Sequence, residues 1–130
     1  MKRVLIVDDE ADHRLLLKDM LGANGYVCEV AGDGKDALNV LRTTSVDVIL
    51  TDFNMPRMNG LELIENLSKQ TYHLMVPVIL VTSQDPDCIP SLSSHEWLFT
   101  ILSKPYQWGK LLDTVEEATE SAPIMTTCDG

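Results

Sequence analysis

The chain has 130 residues, 45% of them hydrophobic and 23% charged, a composition typical of one globular domain. Acidic side chains outnumber basic ones by 20 to 10, and the resulting net charge of −10 disfavours nucleic acid as a direct partner. The sequence contains neither an apolar run of the roughly 18 residues typical of a membrane span nor a secretory signal pattern, so we predict a cytoplasmic protein without membrane insertion.

Short apolar runs alternate with stretches of helical period along the chain. The first run, Val4 to Val7, is followed by a helical pattern from about Ala11 to Ala23. We assign one side of that helix to the core, with Leu16, Leu17, Met20 and Leu21. The other predicted strands are Tyr26–Ala31, Val46–Thr51, Val76–Val81 and Leu98–Leu102.

Four further helices are expected between and after these strands. Asp33 and Asn59 stand where a side chain caps a helix start, and a last helix is predicted over 105–120. Asp85-Pro86 begins a fourth helical segment, but Pro90 follows four residues later. Because a proline ring clashes inside a helix, we predict a short or distorted helix there. We expect a single domain over residues 1–120 and a flexible tail over 121–130, where no period is visible.

Five strands that alternate with helices indicate an α/β fold, a doubly wound parallel sheet with helices on both faces. Ligands of such sheets bind beyond the carboxyl ends of the strands. The residues at those ends include three acids, a hydroxyl and a cation, namely Asp8, Asp9, Asp52, Thr82 and Lys104. Three clustered carboxylates favour a hard divalent cation such as Mg²⁺, and a central aspartate such as Asp52 can carry a phosphoryl group.

These stretches resemble the receiver domain of two-component response regulators. The resemblance covers about residues 2–120. It rests on four motifs, Val-Leu-Ile-Val-Asp-Asp-Glu (4–10), Thr-Asp-Phe-Asn-Met-Pro (51–56) with Asn59-Gly60 following, Val-Thr-Ser (81–83) and Ser-Lys-Pro (103–105). It implies a flavodoxin-like (βα)₅ fold with strand order 2-1-3-4-5. It further implies a signalling protein of a phosphorelay, not an enzyme beyond its own phosphorylation and dephosphorylation.

The resemblance also implies a role for each position of the pocket. Asp52 would be the phosphoacceptor, and Lys104 and Thr82 would contact the phosphoryl group. Mg²⁺ (or Mn²⁺) would be held by Asp9 and Asp52, by Asp8 directly or through water, and by the backbone carbonyl of Asn54. Asn54 and Gln84 would tune the lifetime of the aspartyl phosphate. The Lys104–Pro105 peptide bond is expected to be cis.

The implied partners are proteins. The phosphodonor would be a phosphohistidine on a sensor histidine kinase or a phosphotransfer protein, and a downstream protein target would receive the signal. A homodimer is left open, and so is the question whether the chain works alone or is the N-terminal piece of a longer protein.

One departure from the family pattern supports an alternative function. Ile101 stands where the family usually has an aromatic switch residue, and a branched aliphatic side chain cannot report the switch in the same manner. The alternative is an interaction module of the same fold that works without phosphorylation. Two other classes fit less well. A haloacid-dehalogenase-like phosphatase needs Asp-x-Asp after the first strand, where Asp8-Asp9-Glu10 stands, and FMN binding needs hydroxyl groups in that loop.

Overall fold

A computed structural model describes residues 2–55, 58–69, 76–83 and 98–121. Within these residues the chain forms five strands, β1 (Arg3–Val7), β2 (Val27–Ala31), β3 (Val48–Asp52), β4 (Val78–Thr82) and β5 (Leu98–Ser103). The described helices are α1 (Ala11–Ala23), α2 (Gly34–Thr43), α3 (Gly60–Ser68) and α4 (Trp108–Ser121).

All the strand pairs of the sheet are parallel, and the strand order is β2-β1-β3-β4-β5. The predicted α/β fold class and strand order are therefore confirmed. β1 and β3 lie side by side inside the sheet, with Val7 opposite Thr51 in their register. This pairing brings the residues that follow β1 next to the carboxyl end of β3.

Helices cover the sheet on both faces, and each face has its own apolar core. Alternate residues along β1 point to opposite faces, so Val4 and Ile6 belong to one core and Leu5 and Val7 to the other. The first core contains the inner residues of α1 and α4, which are Leu17, Leu21, Leu111, Val115 and Ala118. The second contains those of α2 and α3, which are Ala37, Leu41, Leu63, Ile64 and Leu67.

The starts of α2 and α3 are capped by the two predicted residues. The Asp33 carboxylate accepts the backbone N–H of Asp36 at 2.8 Å. Asn59 and Glu62 form a reciprocal capping box, in which each side chain accepts the backbone N–H of the other residue. These caps satisfy N–H groups that have no partner inside their helices and so define where each helix begins.

Two predictions about helices need correction. Leu16 was assigned to the inner side of α1, but 54% of it is exposed, whereas Leu17 and Leu21 are buried. Residues at positions i and i+4 share a helix face, while adjacent residues diverge by about 100°. The last helix begins at Trp108 and not at Pro105, because its first helical hydrogen bond runs from the N–H of Leu111 to the carbonyl of Gln107.

Some predicted features lie outside the described residues. They are Gln84, the segment that begins at Asp85-Pro86, and the tail beyond residue 121. The domain boundary near residue 120 therefore stays a prediction. Among the described helices, none is both long and apolar enough to cross a bilayer.

Candidate functional site

The carboxyl end of β1 fixes one acidic side chain and leaves the next in solvent. Asp8 is only 2% exposed, and Asp9 is exposed. One carboxylate oxygen of Asp8 accepts the backbone N–H of Glu10 at 2.9 Å, and the other contacts Nδ1 of His13. The guanidinium of Arg14 donates to the backbone carbonyl of Asp8 at 2.6 Å. Main chain and side chain of Asp8 are therefore both held in place.

The carboxyl end of β3 carries Asp52, which forms an ion pair across the sheet edge. Lys104 Nζ lies 2.9 Å from Asp52 Oδ1, and the two side chains are 27% and 10% exposed. The pKa of Asp52 is raised: burial is the largest cause, the hydrogen bond and the charge of Lys104 oppose it, and the charges of Asp8 and Asp9 add to the rise. Burial is the largest single influence on the pKa of Lys104 and lowers it, but the hydrogen bond and charge of Asp52, together with the charges of Asp8 and Glu10, make the net shift upward.

Thr82 and Lys104 are brought together by the pairing of β4 with β5. Thr82 is the last residue of β4, is fully buried and lies opposite Ser103 in the register. The backbone N–H of Lys104 donates to the carbonyl of Thr82 at 2.7 Å, and the Lys104–Pro105 bond is cis, as the resemblance implied. The ammonium that faces Asp52 is thereby tied to the end of β4.

The three acids form one cluster. Asp8, Asp9 and Asp52 each offer a carboxylate oxygen, and the three oxygens lie within 4.8 Å of one another. Carboxylates this close repel each other strongly, because unit charges about 4 Å apart interact by about 4 kcal/mol at an effective dielectric constant of 20. The cluster can hold a metal ion, which would remove this repulsion.

Of the remaining predicted residues, the structure describes Asn54 and Ile101. Asn54 lies in the loop after β3 and is exposed. Ile101 is a partly buried residue of β5 and pairs with Leu80 of β4. It stands three residues before Lys104 in the sequence. Gln84 lies outside the described residues.

His13 and Tyr106 also belong to the site, and the sequence reasoning missed both. Nε2 of His13 lies 3.0 Å from the Tyr106 hydroxyl, so these two side chains connect α1 to the loop after β5. With Ser83, Lys104 and Pro105 they line an open cavity of about 440 Å³ beside the acidic cluster. The available signal was the position of His13 in the first turns of α1, just after the acidic pair.

Comparisons with known proteins identify the family of this fold and pocket. The family model of the response regulator receiver domain matches residues 4–116. The sensor histidine kinase RcsC of Salmonella typhi is 45% identical over 112 residues, which are 86% of this chain but 12% of that protein. The chain thus spans about an eighth of that relative's length.

Two other relatives are of similar size to this chain. Protein PilH of Pseudomonas aeruginosa is 32% identical over 115 residues, which are 88% of this chain and 95% of PilH. The crystal structure of the response regulator TrrA from Thermotoga maritima, in complex with Mg²⁺–BeF, superposes with a TM-score of 0.78 at 30% identity. The superposition covers 91% of this chain and 99% of TrrA.

Proposed function

The chain belongs to the family of response regulator receiver domains of two-component systems, and from this premise we propose that Asp52 accepts a phosphoryl group and that the change is passed to a protein partner. The observation that carries the proposal is the setting of Asp52. It is a largely buried carboxylate at the end of a central strand, ion-paired with Lys104 and adjacent to two further acids. A nucleophile, a cation and a site for a metal ion are the groups that phosphoryl transfer to a carboxylate requires.

The acidic cluster fits Mg²⁺ by its chemistry. Its donors are the hard carboxylate oxygens of three acids, and the ammonium of Lys104 is ion-paired with one of them, Asp52. We assign Mg²⁺ (or Mn²⁺) to Asp9, Asp52 and the backbone carbonyl of Asn54, with Asp8 as a direct or water-mediated ligand. The bound ion would neutralise charge on the phosphoryl oxygens. The Mg²⁺–BeF complex of the relative TrrA supports this assignment.

The side chains of the pocket have different roles in the phosphoryl transfer. A carboxylate oxygen of Asp52 attacks the phosphorus of a phosphohistidine, so that a P–O bond forms as the P–N bond breaks. The imidazole leaves with the electron pair of that bond and takes up a proton. The ammonium of Lys104 then pairs with a phosphoryl oxygen, and the hydroxyl of Thr82 donates a hydrogen bond to another.

Hydrolysis returns the pocket to its starting state. A water attacks the phosphorus of the aspartyl phosphate and releases inorganic phosphate, and we assign Asn54 and Gln84 to tuning this step. In this scheme the domain turns over no separate substrate, so it acts as a signalling module and not as an enzyme. We assign the domain to the cytoplasm, with a sensor histidine kinase or a phosphotransfer protein as its phosphodonor and a downstream protein as the receiver of the signal.

Intact mass after treatment with a small acyl phosphate and Mg²⁺ tests the proposal. We expect the wild type to gain one phosphoryl group and Asp52→Asn to gain none. Asp113→Asn, which removes an exposed acid from α4, is the matched control and should gain one phosphoryl group. An unmodified wild type, or equal modification of Asp52→Asn, would contradict the proposal.

Ile101 supports a second candidate function, the phosphorylation-independent interaction module. Two-dimensional NMR spectra with and without Mg²⁺ and beryllofluoride, a phosphoryl mimic, separate the two functions. A phosphorylation-dependent receiver should show shifts that extend from Asp52 to the amides of β5 and the start of α4. Shifts confined to the neighbours of Asp52 would favour the second candidate.

A further inference from the structure

His13 makes two side-chain contacts, one with Asp8 of the acidic cluster and one with Tyr106. Its Nδ1 contacts the carboxylate of Asp8, and its Nε2 lies 3.0 Å from the hydroxyl of Tyr106. The Asp8 side chain is 3% exposed and that of His13 is 24% exposed. The two contacts therefore form a chain of hydrogen bonds, partly shielded from water, from the end of β1 to the loop after β5.

The proton on Nδ1 follows from the chemistry of the two partners. An ionised carboxylate can only accept hydrogen bonds, so Nδ1 of His13 must be the donor to Asp8 whether the ring is neutral or charged. In the neutral ring Nε2 is an acceptor, and the hydroxyl of Tyr106 donates to it. Tyr106 keeps its proton, because burial first and then the charges of Asp8 and Asp52 raise its pKa. The hydrogen bond from Tyr106 therefore fixes the orientation of the His13 ring.

Each carboxylate oxygen of Asp8 has a hydrogen-bond donor outside the group of three acids. Glu10 N–H holds one oxygen and His13 holds the other, so the carboxylate has little freedom to rotate. The same carboxylate lies within 4.8 Å of ligand atoms of Asp9 and Asp52. Outer hydrogen bonds of this kind orient the groups around a metal ion.

Asp8, Glu10 and His13 also bring ligand atoms within 4.8 Å of one another. A metal ion there would have to displace the hydrogen bond between His13 and Asp8. The donor geometry favours support of the acidic cluster over a separate metal centre.

We propose that His13 is a positioning residue for the metal site, with its Nδ1–H holding the Asp8 carboxylate toward Asp9 and Asp52 and the Tyr106 hydroxyl orienting the ring. The proposal rests on the proposed function for the identity of the metal. It adds a residue of this chain on which the affinity for Mg²⁺ depends.

Titration of the full chain with Mg²⁺ tests the proposal through four variants. Asparagine places an amide N–H near the position of Nδ1, and glutamine places one near that of Nε2. We expect His13→Leu and His13→Gln to raise the dissociation constant for Mg²⁺ about tenfold, a typical effect of losing an outer hydrogen bond. His13→Asn should restore affinity close to that of the wild type, and Tyr106→Phe should have an intermediate effect. Lys18→Gln, an exposed residue of α1, is the control and should bind as the wild type does.

The asparagine and glutamine variants keep the test valid if the leucine variant does not fold. They carry the same amide group one methylene apart, so a difference in their Mg²⁺ affinity reports the position of the donor. Equal affinities for the two variants and the wild type would overturn the proposal.

Long-range ¹H–¹⁵N NMR of the imidazole ring provides an independent readout. We expect the proton to stay on Nδ1 of His13 when Mg²⁺ is added, with a shift that reflects the changed charge on Asp8. Loss of that proton on adding Mg²⁺ would make His13 a direct ligand and would overturn the positioning role.

The two proposals fail in different ways. If Asp52 takes no phosphoryl group but His13→Gln still weakens Mg²⁺ binding and His13→Asn does not, the proposed function is wrong and the positioning role stands. If Asp52 is phosphorylated and every His13 variant binds Mg²⁺ as the wild type does, the positioning role is wrong and the proposed function stands.

Discussion

The two sides of the pocket are built on very different parts of the sheet. The acids follow β1 and end β3, and β1 has neighbours on both sides and four buried residues from Val4 to Val7. Lys104 follows β5, which lies at the edge of the sheet. On this strand Phe99 is 38% exposed and Ile101 is only partly buried. The register between β4 and β5 also shifts near Val78.

In the proposed function, this difference separates the site of phosphoryl transfer, on the acid side, from the β5 side, which would pass the change to a partner. The backbone that carries Asp8 and Asp9 cannot move without disturbing two packed cores, since the residues of β1 belong to both. The cation side is joined to the centre by the Asp52–Lys104 ion pair, the backbone bond from Lys104 to Thr82, and the contact of His13 with Tyr106. Because β5 pairs with one strand only and is partly exposed, we expect it to shift more readily than β1 when the charge on Asp52 changes.

We expect the largest effect from the same truncation, isoleucine to alanine, made on the central strand β1 and on the edge strand β5. Ile6 has no exposed surface, and Ile101 is partly exposed. We expect Ile6→Ala to lower the free energy of unfolding by about 4 kcal/mol and Ile101→Ala by about 1 kcal/mol, because the cost rises with the cavity left behind. Urea unfolding of the two variants measures both values. Equal losses would show that β5 is packed as tightly as β1.

A smaller effect is expected from adding one methyl group at each of two glycines, Gly60 next to β3 and β4 and Gly109 in α4. A Cβ at Gly60 would lie 2.4 Å from Cδ1 of Leu80 and 3.0 Å from the backbone oxygen of Asp52, whereas at Gly109 nothing lies within 4 Å. We expect Gly60→Ala to destabilise the fold by about 2 kcal/mol through overpacking. Gly109→Ala should stabilise it by about 0.5 kcal/mol, because alanine favours the helix. The melting temperatures of the two variants should therefore move in opposite directions.

The sequence was sufficient for the fold and the pocket acids because both depend on local pattern. Runs of buried residues predicted the strands, and Asp33 and Asn59 capped helices where a short-range rule places them. Asp8 and Asp9 were found because they directly follow a strand, and parallel strands end at one edge of the sheet.

Some features that depend on contacts between distant segments were not predicted. The bond between His13 and Tyr106 joins residues 93 positions apart, and neither residue type is diagnostic alone. Leu16 was misassigned because a run of three leucines does not indicate which of them faces the sheet. The start of α4 depends on how the chain turns after Lys104, which no capping residue in that stretch reveals.

The smallest expected effect concerns pH and has the same sign at both ends of the ion pair, because the pKa values of Asp52 and Lys104 are both raised. In the metal-free protein the pKa of Asp52 is raised, so the folded state holds this proton more tightly than the unfolded chain does. Stability should therefore fall as pH rises from the usual aspartate pKa through the raised value, by less than about 1.4 kcal/mol per pH unit for one proton. The pKa of Lys104 is also raised, so its contribution is present below the usual lysine pKa and is lost as pH rises through the raised value.

Urea unfolding of metal-free protein over a pH series, with Asp52→Asn beside the wild type, measures both ends of the pair. We expect Asp52→Asn to remove the contribution of Asp52 on the acidic side. It should also reduce the loss of stability at alkaline pH, because Lys104 no longer has Asp52 as the partner that raises its pKa. Asp113→Asn serves again as the exposed control and should follow the wild type. Identical pH profiles for Asp52→Asn and the wild type would mean that the centre and the edge are not coupled through this ion pair, and that a change of charge on Asp52 has no route through Lys104 to β5.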